Sequence, residues 1–116
     1  MEEIYIKTDD MQFVHKQNET DYIVLDIVET PDDTYLCKRV WVGLEWYTNE
    51  DLEAEISGYG YTSLDNVREL YGDSANQIIA ECIAENTQFD EDTEHLKTIE
   101  EVNNWLKENK CNHIVE

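Results

Sequence analysis

One segment of the sequence has acidic residues with the spacing of a calcium-binding loop. Four acids would fall on ligand positions 1, 3, 5 and 12 of such a loop: Asp90, Asp92, Glu94 and Glu101. Position 6 is His95, where the loop needs glycine for its sharp turn. Glu101 also lies three residues after Thr98, a spacing typical of a helix cap. A solvated acidic loop is therefore the simpler interpretation, with calcium binding as a minor alternative.

Histidine and cysteine do not have the spacing of a metal or redox site. The sequence contains no CxxC pair, no HExxH motif and no HxE followed by CxxC, the arrangements that hold zinc in many proteins. The three cysteines are an odd number, which favours free thiols over a disulfide framework. Because free thiols are typical of a reducing compartment, we expect a cytoplasmic protein with no cofactor and no bound metal.

Catalytic motifs are equally hard to find. The segment Gly58-Tyr59-Gly60-Tyr61 lies between two predicted helices, whereas a phosphate-binding loop joins a strand to a helix. Carboxylates are so numerous that no pair stands out as the acid and base of a hydrolase. The sequence therefore predicts that the protein is not an enzyme.

Net charge is the strongest signal in the composition. The 116 residues include 28 Asp and Glu against 8 Lys and Arg, which gives a formal charge of −20. A nucleic-acid backbone or an anionic membrane is bound through clustered basic residues, and the few here are scattered. No apolar run approaches the roughly 18 residues of a membrane-spanning helix, and the acidic start is unlike a signal peptide. We therefore expect no direct binding to nucleic acid or membrane.

The elements of the first half are predicted to be strands. Hydrophobic residues make up 41% of the chain, which indicates one folded domain over 1–116 rather than a disordered acidic chain. Residues 22–28 read YIVLDIV, turn at Thr30-Pro31-Asp32-Asp33, and return over 35–42 as a hairpin. The first of these strands is almost wholly apolar, so we expect both of its faces to be covered. Residues 4–6 are a shorter strand candidate, and 9–18 are ambiguous between helix and strand.

The second half is predicted to be helical. Three capping patterns mark helix starts: Thr48-x-x-Asp51, Thr62-x-x-Asp65 and Thr98-x-x-Glu101. A further helix opens at Asp73 or Ser74 and repeats apolar residues at helical spacing through Ile83. A tail strand through 113–115 is an open possibility. The fold class is thus α+β, a small antiparallel sheet built on an N-terminal hairpin, with three to four helices packed on one face.

Two acidic stretches are the candidate binding surface. No basic residue occurs between Val40 and Val67, and Lys97 is the single one in 81–101. Ordinary helices intersperse Lys among Glu. In this chain the acidic side chains repel one another instead, and a basic partner would relieve that repulsion. Tyr and Trp near these acids would supply contact area. The candidate residues of the first stretch are Glu45, Trp46, Tyr47, Glu50, Asp51, Glu53, Glu55, Tyr59 and Tyr61, and those of the second are Asp90, Glu91, Asp92 and Glu94.

The first stretch carries a local resemblance to a known family. The run Val42-Gly43-Leu44-Glu45-Trp46-Tyr47-Thr48, then Leu52 and Ile56, then Tyr61-Thr62-Ser63-Leu64 opening a helix, resembles the DNA-mimic antirestriction proteins of mobile elements. In size and charge the chain is also similar to anti-CRISPR proteins of phages. The resemblance implies a stoichiometric inhibitor of a nucleic-acid-binding defence enzyme, either a CRISPR effector or a restriction enzyme. The resemblance implies that the binding site is the acidic surface around Glu50 to Glu55 and Asp90 to Glu94.

The expected partner is accordingly a basic nucleic-acid-binding protein. Carboxylates on rigid helices can imitate a phosphate backbone and occupy a groove built for DNA or RNA. An alternative is an immunity protein or antitoxin that neutralises one basic toxin through the same acids and tyrosines. A small calcium-binding regulatory protein is the third alternative. The sequence leaves the oligomeric state and the strand order open.

Overall fold

The computed structural model describes residues 5–87 and 93–116, and these form five strands and four α-helices. The strands are β1 (Tyr5–Asp9), β2 (Gln12–Lys16), β3 (Asp21–Glu29), β4 (Tyr35–Gly43) and β5 (Glu94–Leu96). The helices are α1 (Asn49–Ser57), α2 (Leu64–Tyr71), α3 (Ala75–Asn86) and α4 (Ile99–Glu108). The predicted class, α+β with an N-terminal hairpin, is confirmed.

The strands form one antiparallel sheet in the order β1-β2-β3-β4-β5. The predicted hairpin is β3–β4, whose register runs from Asp21 opposite Gly43 to Glu29 opposite Tyr35. Its turn is closed by Thr30, whose backbone N–H donates to the Thr34 carbonyl at 2.9 Å. The ambiguous segment 9–18 contains a strand, β2. Its Phe13 and Val14 are both buried, but in different cores, as neighbours on a strand must be.

Helices cover both faces of the sheet, so the expectation of one covered face was wrong. Tyr22 and Val24 of β3 pack with α1, α2 and α3 in one core. Ile23 and Leu25, the alternate residues of the same strand, pack with α4 in a second core. The prediction that both faces of this strand are covered is therefore confirmed, and it required a helix on each side.

The second core is completed by α4 and the C-terminal tail. Val102 and Leu106 are fully buried against the sheet, and Trp105 lies beside them. The tail is not a strand. Val115 is instead held by Asn103, whose side chain accepts from the Val115 N–H at 2.7 Å and donates to its carbonyl at 2.9 Å. A side-chain amide thus replaces the backbone partner that a strand would need.

Two of the three predicted helix caps are confirmed and one is shifted. Thr48 forms a full capping box with Asp51, and the Thr98 hydroxyl accepts from the Glu101 N–H at 3.1 Å. The cap of α2 is Ser63 rather than Thr62, because the Ser63 hydroxyl accepts from the Asn66 N–H at 3.1 Å. Thr62 and Ser63 are adjacent and either could cap the helix, and in the structure Ser63 is the cap.

Candidate partner-binding surface

The first candidate stretch begins at a short 3-10 turn, Leu44–Trp46, that joins the sheet to α1. Leu44 enters the core, whereas Trp46 is 80% exposed. A Cβ atom on Gly43 would lie 2.5 Å from the Trp41 ring and 2.6 Å from the Trp46 ring, so both indoles lie against this glycine. Trp41 is itself 48% exposed. The structure therefore adds Trp41, which the sequence did not single out, to the predicted Trp46.

Helix α1 carries four carboxylates, Glu50, Asp51, Glu53 and Glu55. The first three are exposed and Glu55 is half-buried. The ion pairs between described residues are Lys7–Asp10, Lys16–Glu19, Lys38–Asp26 and Arg68–Asp65. None of these pairs involves α1, so its carboxylates form no ion pair within the described part of the chain.

Three of the α1 carboxylates also hold the helix in place. Asp51 accepts from the Thr48 N–H at 3.3 Å in the capping box. Glu53 accepts from the Leu64 N–H at 3.1 Å, which ties α1 to the start of α2. Glu55 accepts from the Asn86 side chain at 2.8 Å, which ties α1 to the end of α3. These hydrogen bonds to neutral donors fix the positions of the three carboxylates.

Glu45 and Glu50 are the two predicted acids with the greatest freedom. Both are exposed, and within residues 5–87 and 93–116 neither side chain makes a hydrogen bond or an ion pair. They lie on either side of Trp46 and Tyr47 in the chain, at the start of α1. We call Glu45, Trp46, Glu50, Asp51 and Glu53 the α1 surface.

The predicted tyrosines divide into core and surface residues. Tyr47 and Tyr61 are half-buried and pack against the first core. Tyr59 is 41% exposed, and its hydroxyl donates to the Asn86 side-chain oxygen at 3.3 Å. The hydroxyls of Tyr61 and Tyr71 lie 2.8 Å apart, and this hydrogen bond together with burial raises the pKa of Tyr61 to about 12. Among the predicted tyrosines, Tyr59 is the one with substantial exposure for a partner.

Of the second candidate stretch, the structure describes Glu94, which does not join the first stretch. Asp90, Glu91 and Asp92 lie outside the described residues. Glu94 lies in β5 directly opposite Cys37 of β4, and Cys37 belongs to the core on the α4 side of the sheet. Because residues opposite each other in antiparallel strands share a face, Glu94 is on the α4 side and α1 is on the other. Burial raises the Cys37 pKa to about 12, and the nearby Glu94 charge adds to this effect.

An acidic groove that the sequence did not reveal lies at the edge of the first core. Its walls come from β1, the β1–β2 turn, β3 and α3, and its volume is about 500 Å³. Its acidic members are Asp9, Asp10, Asp26, Glu81 and Glu85. They come from three separate segments: Asp9 lies opposite Gln12 and Gln12 lies opposite Asp26 in the sheet, and α3 contributes Glu81 and Glu85. We call this feature the acidic groove.

Burial within the acidic groove changes the acidity of its members. The pKa of Asp26 is raised chiefly by burial and further by Asp9, while Lys38 opposes the rise. Burial also raises the pKa values of Glu81 and Glu85, and their mutual repulsion adds to the shift in Glu81. Within the described residues no three His, Cys, Asp or Glu side chains are arranged to hold a metal ion. The groove thus brings together acids whose neutral form is favoured by burial, and Lys38 is paired with one of them, Asp26.

Comparison with known proteins gives no match: no family model, no curated protein and no solved structure matches the chain. In the described part of the chain, no helix has both the length and the apolar character needed to cross a membrane. The fold and the site together define an α+β protein that presents rigid carboxylates beside exposed tryptophan.

Proposed function

We propose that this protein is a non-catalytic, stoichiometric inhibitor that occupies the nucleic-acid-binding groove of a basic defence enzyme. The enzyme class that the charge and the resemblance favour is a CRISPR effector or a restriction enzyme. The cytoplasm remains the proposed compartment, because Cys37, Cys82 and Cys111 are all buried free thiols.

The observation that carries the proposal is the α1 surface. Its carboxylates have no cationic partner within the described residues, and Asp51 and Glu53 are fixed by backbone N–H groups. Fixed unpaired carboxylates resemble a row of phosphates in one physical respect. When a basic groove binds either of them, bound counterions are released into solution. A surface of this kind steers association with a positive partner and favours it over neutral ones.

The exposure of Trp46 is a second observation in favour of the α1 surface. A tryptophan that is 80% exposed leaves a large apolar area in water, and such residues are enriched among those that dominate binding energy. It stands beside Glu45 in a 3-10 turn whose Leu44 is anchored in the core. The anchored turn keeps the indole in a defined place, which limits the entropy lost on binding.

A displacement experiment tests the proposal. A panel of purified CRISPR effectors and restriction enzymes, each loaded with fluorescently labelled nucleic acid, would be titrated with this protein while anisotropy is measured. We expect stoichiometric loss of anisotropy for the target enzyme at low salt, with an affinity that weakens as salt is raised. A ternary complex, in which the enzyme holds both this protein and its nucleic acid, would contradict occupation of the groove. It would be the result expected of an immunity-type protein acting at another surface.

A further inference from the structure

Gly43, the last residue of β4, is a glycine that its own backbone conformation does not require. Its φ of −110° and ψ of 105° are ordinary extended values, open to most residues. What excludes a larger residue is space, because a Cβ atom here would lie closer than 3.0 Å to a ring atom of Trp41 and to one of Trp46. Gly43 is itself buried, although both tryptophans are exposed. The glycine therefore allows the edges of two exposed indoles to meet.

The two indoles form one patch that reaches both sides of the sheet edge. Trp41 lies opposite Ile23, a residue of the second core, so the Trp41 side chain is on the α4 side. Trp46 belongs to the 3-10 turn that leads from β4 to α1. We call Trp41, Gly43 and Trp46 the tryptophan patch. It shares Trp46 with the α1 surface and extends that surface onto the α4 side of the sheet.

The exposure of this patch is unlike that of a single surface hydrophobic residue. Isolated apolar side chains in water are normal, whereas adjacent large ones are typical of contact sites. Tryptophan in particular is enriched among the residues that dominate binding energy. Two exposed tryptophans that meet over a buried glycine therefore indicate a surface that a partner covers.

Carboxylates lie at the Gly43 end of the patch. Asp21 is directly opposite Gly43 in the β3–β4 register, so its side chain is on the same face of the sheet as Trp41. The Asn18 side-chain amide donates to the Asp21 carboxylate at 2.9 Å and holds it in place. Glu45 is exposed and directly precedes Trp46 in the turn. The patch is therefore an aromatic surface bordered by acids.

Such a surface is suited to the guanidinium of an arginine. Indole is the aromatic ring that attracts cations most strongly. A guanidinium can stack on the ring and also form a forked pair of hydrogen bonds with a carboxylate, which the compact ammonium of lysine cannot do. Arg39 lies two residues before Trp41 on the same face of β4, so a second cation is expected at the opposite, Gly43 end of the patch, where the acids are.

We propose that the tryptophan patch binds an arginine side chain of the basic partner, with Asp21 and Glu45 accepting hydrogen bonds from its guanidinium. The inference rests on the proposed function, because it takes the partner to be basic and names the residue type that the partner presents. Gly43 is a positioning residue: it acts by letting the two indoles meet.

Binding would be measured on the full-length protein labelled with fluorotryptophan, in which each of the three tryptophans gives one fluorine NMR signal. The probes are two blocked peptides of equal charge and length, one with two arginines and one with two lysines, both spaced by glycine. We expect the arginine peptide to shift the signals of Trp41 and Trp46 and to bind about fivefold more tightly than the lysine peptide. The signal of the buried Trp105 should stay in place.

Equal affinities for the two peptides, or unmoved signals of Trp41 and Trp46, would overturn the proposal. No target enzyme enters this measurement. Failure of the arginine preference is therefore distinct from failure of the proposed inhibition, which the displacement of nucleic acid tests separately.

Two variants and a matched control test the role of the glycine. Gly43→Ala adds a methyl group that displaces the indoles, so the preference for arginine over lysine should fall below about twofold. Gly58→Ala is the control, because a Cβ atom at Gly58 meets nothing within 4 Å and its φ of −67° suits alanine. Trp46→Leu changes an exposed side chain and retains the fold even if Gly43→Ala does not, and it should lose the preference as well. A preference kept in both Gly43→Ala and Trp46→Leu, or lost equally in Gly58→Ala, would contradict the assignment.

Discussion

Lys38 and Asp26 face each other across β4 and β3, with the ammonium nitrogen 3.8 Å from a carboxylate oxygen. Lys38 is 5% exposed. Its ammonium also donates to the carbonyls of Ala84 and Thr87, at 2.8 Å each, at the C-terminal end of α3. One cation thus pairs with a largely buried acid and donates to two carbonyls at a helix end. It joins the sheet to α3 at the base of the acidic groove.

Replacing Lys38 should therefore be strongly destabilising. Lys38→Met keeps much of the apolar stem but leaves Asp26 and two helix carbonyls without their partner, so we expect a loss of about 3 kcal/mol in the free energy of unfolding. Urea denaturation would measure it. Adding Asp26→Asn should restore part of the loss, since it removes the uncompensated charge. A loss below about 0.5 kcal/mol for Lys38→Met would contradict this role.

The raised pKa values of Asp26, Glu81 and Glu85 predict an unusual pH dependence. An acid whose pKa is raised by folding binds its proton more tightly in the folded state, so its contribution to stability falls as pH rises through the window above its ordinary pKa. The protein should become more stable as pH is lowered from neutrality toward the ordinary glutamate value of 4.5. Urea denaturation at several pH values would show this trend.

The double variant Glu81→Gln with Glu85→Gln is the test of which groups cause the trend. It removes two of the three titrating carboxylates, so the dependence of stability on pH should become flatter. If the wild-type protein instead loses stability as the pH is lowered from neutrality toward 4.5, groups other than these three carboxylates dominate the pH dependence.

Trp46 is exposed and Trp105 is buried, so we expect their alanine variants to differ in their effect on stability. Trp46 is 80% exposed, so Trp46→Ala should change the free energy of unfolding by less than about 0.5 kcal/mol. The same variant should weaken target binding by tenfold or more, an estimate of about 1.4 kcal/mol for an anchor residue. Trp105 is 9% exposed in the second core, and Trp105→Ala should lower stability by about 3 kcal/mol. If Trp46→Ala binds the target with full affinity, Trp46 is not part of the binding surface.

The position of the α2 cap gives a further stability prediction. Ser63→Ala removes the hydroxyl that accepts from the Asn66 N–H, and we expect it to lower the free energy of unfolding by about 1 kcal/mol. Thr62→Ala should have a smaller effect, because it is the Thr62 backbone N–H that bonds to the Asn66 side chain. Thermal unfolding of the two variants would compare them. A larger loss for Thr62→Ala would favour the register expected from the sequence.

Local signals in the sequence were sufficient for much of the fold. The hairpin β3–β4 could be predicted because a run of β-branched and aromatic residues is interrupted by a Pro-Asp turn. Helices α1 and α4 could be predicted because Thr48 and Thr98 cap them and apolar residues follow at helical spacing. These patterns are contained within a few residues, and so one sequence is enough to find them.

Long-range placement could not be predicted in the same way. The apolar stripe of α4 predicts burial but does not say which face of the sheet it covers. Asp9, Asp26 and Glu81 meet only through the pairing register of the strands and the packing of α3, which leave no local pattern. For the same reason the sequence suggested that the acids of α1 and Glu94 form one surface, whereas the structure places them on opposite sides of the sheet.

The central claim, that the α1 surface replaces nucleic acid in a basic groove, is tested most directly by two charge-matched double variants. Glu45→Gln with Glu50→Gln removes two exposed carboxylates from the α1 surface. Glu29→Gln with Asp32→Asn removes two exposed carboxylates at the far end of the β3–β4 hairpin.

The measurement is displacement of labelled nucleic acid from the target enzyme at fixed salt, with thermal unfolding as the check on folding. We predict that the Glu45 and Glu50 pair lowers the apparent affinity about tenfold, while the Glu29 and Asp32 pair changes it less than about twofold. Equal losses in the two variants would contradict the claim, because net charge alone would then account for binding. Unchanged affinity in the Glu45 and Glu50 variant would contradict it as well.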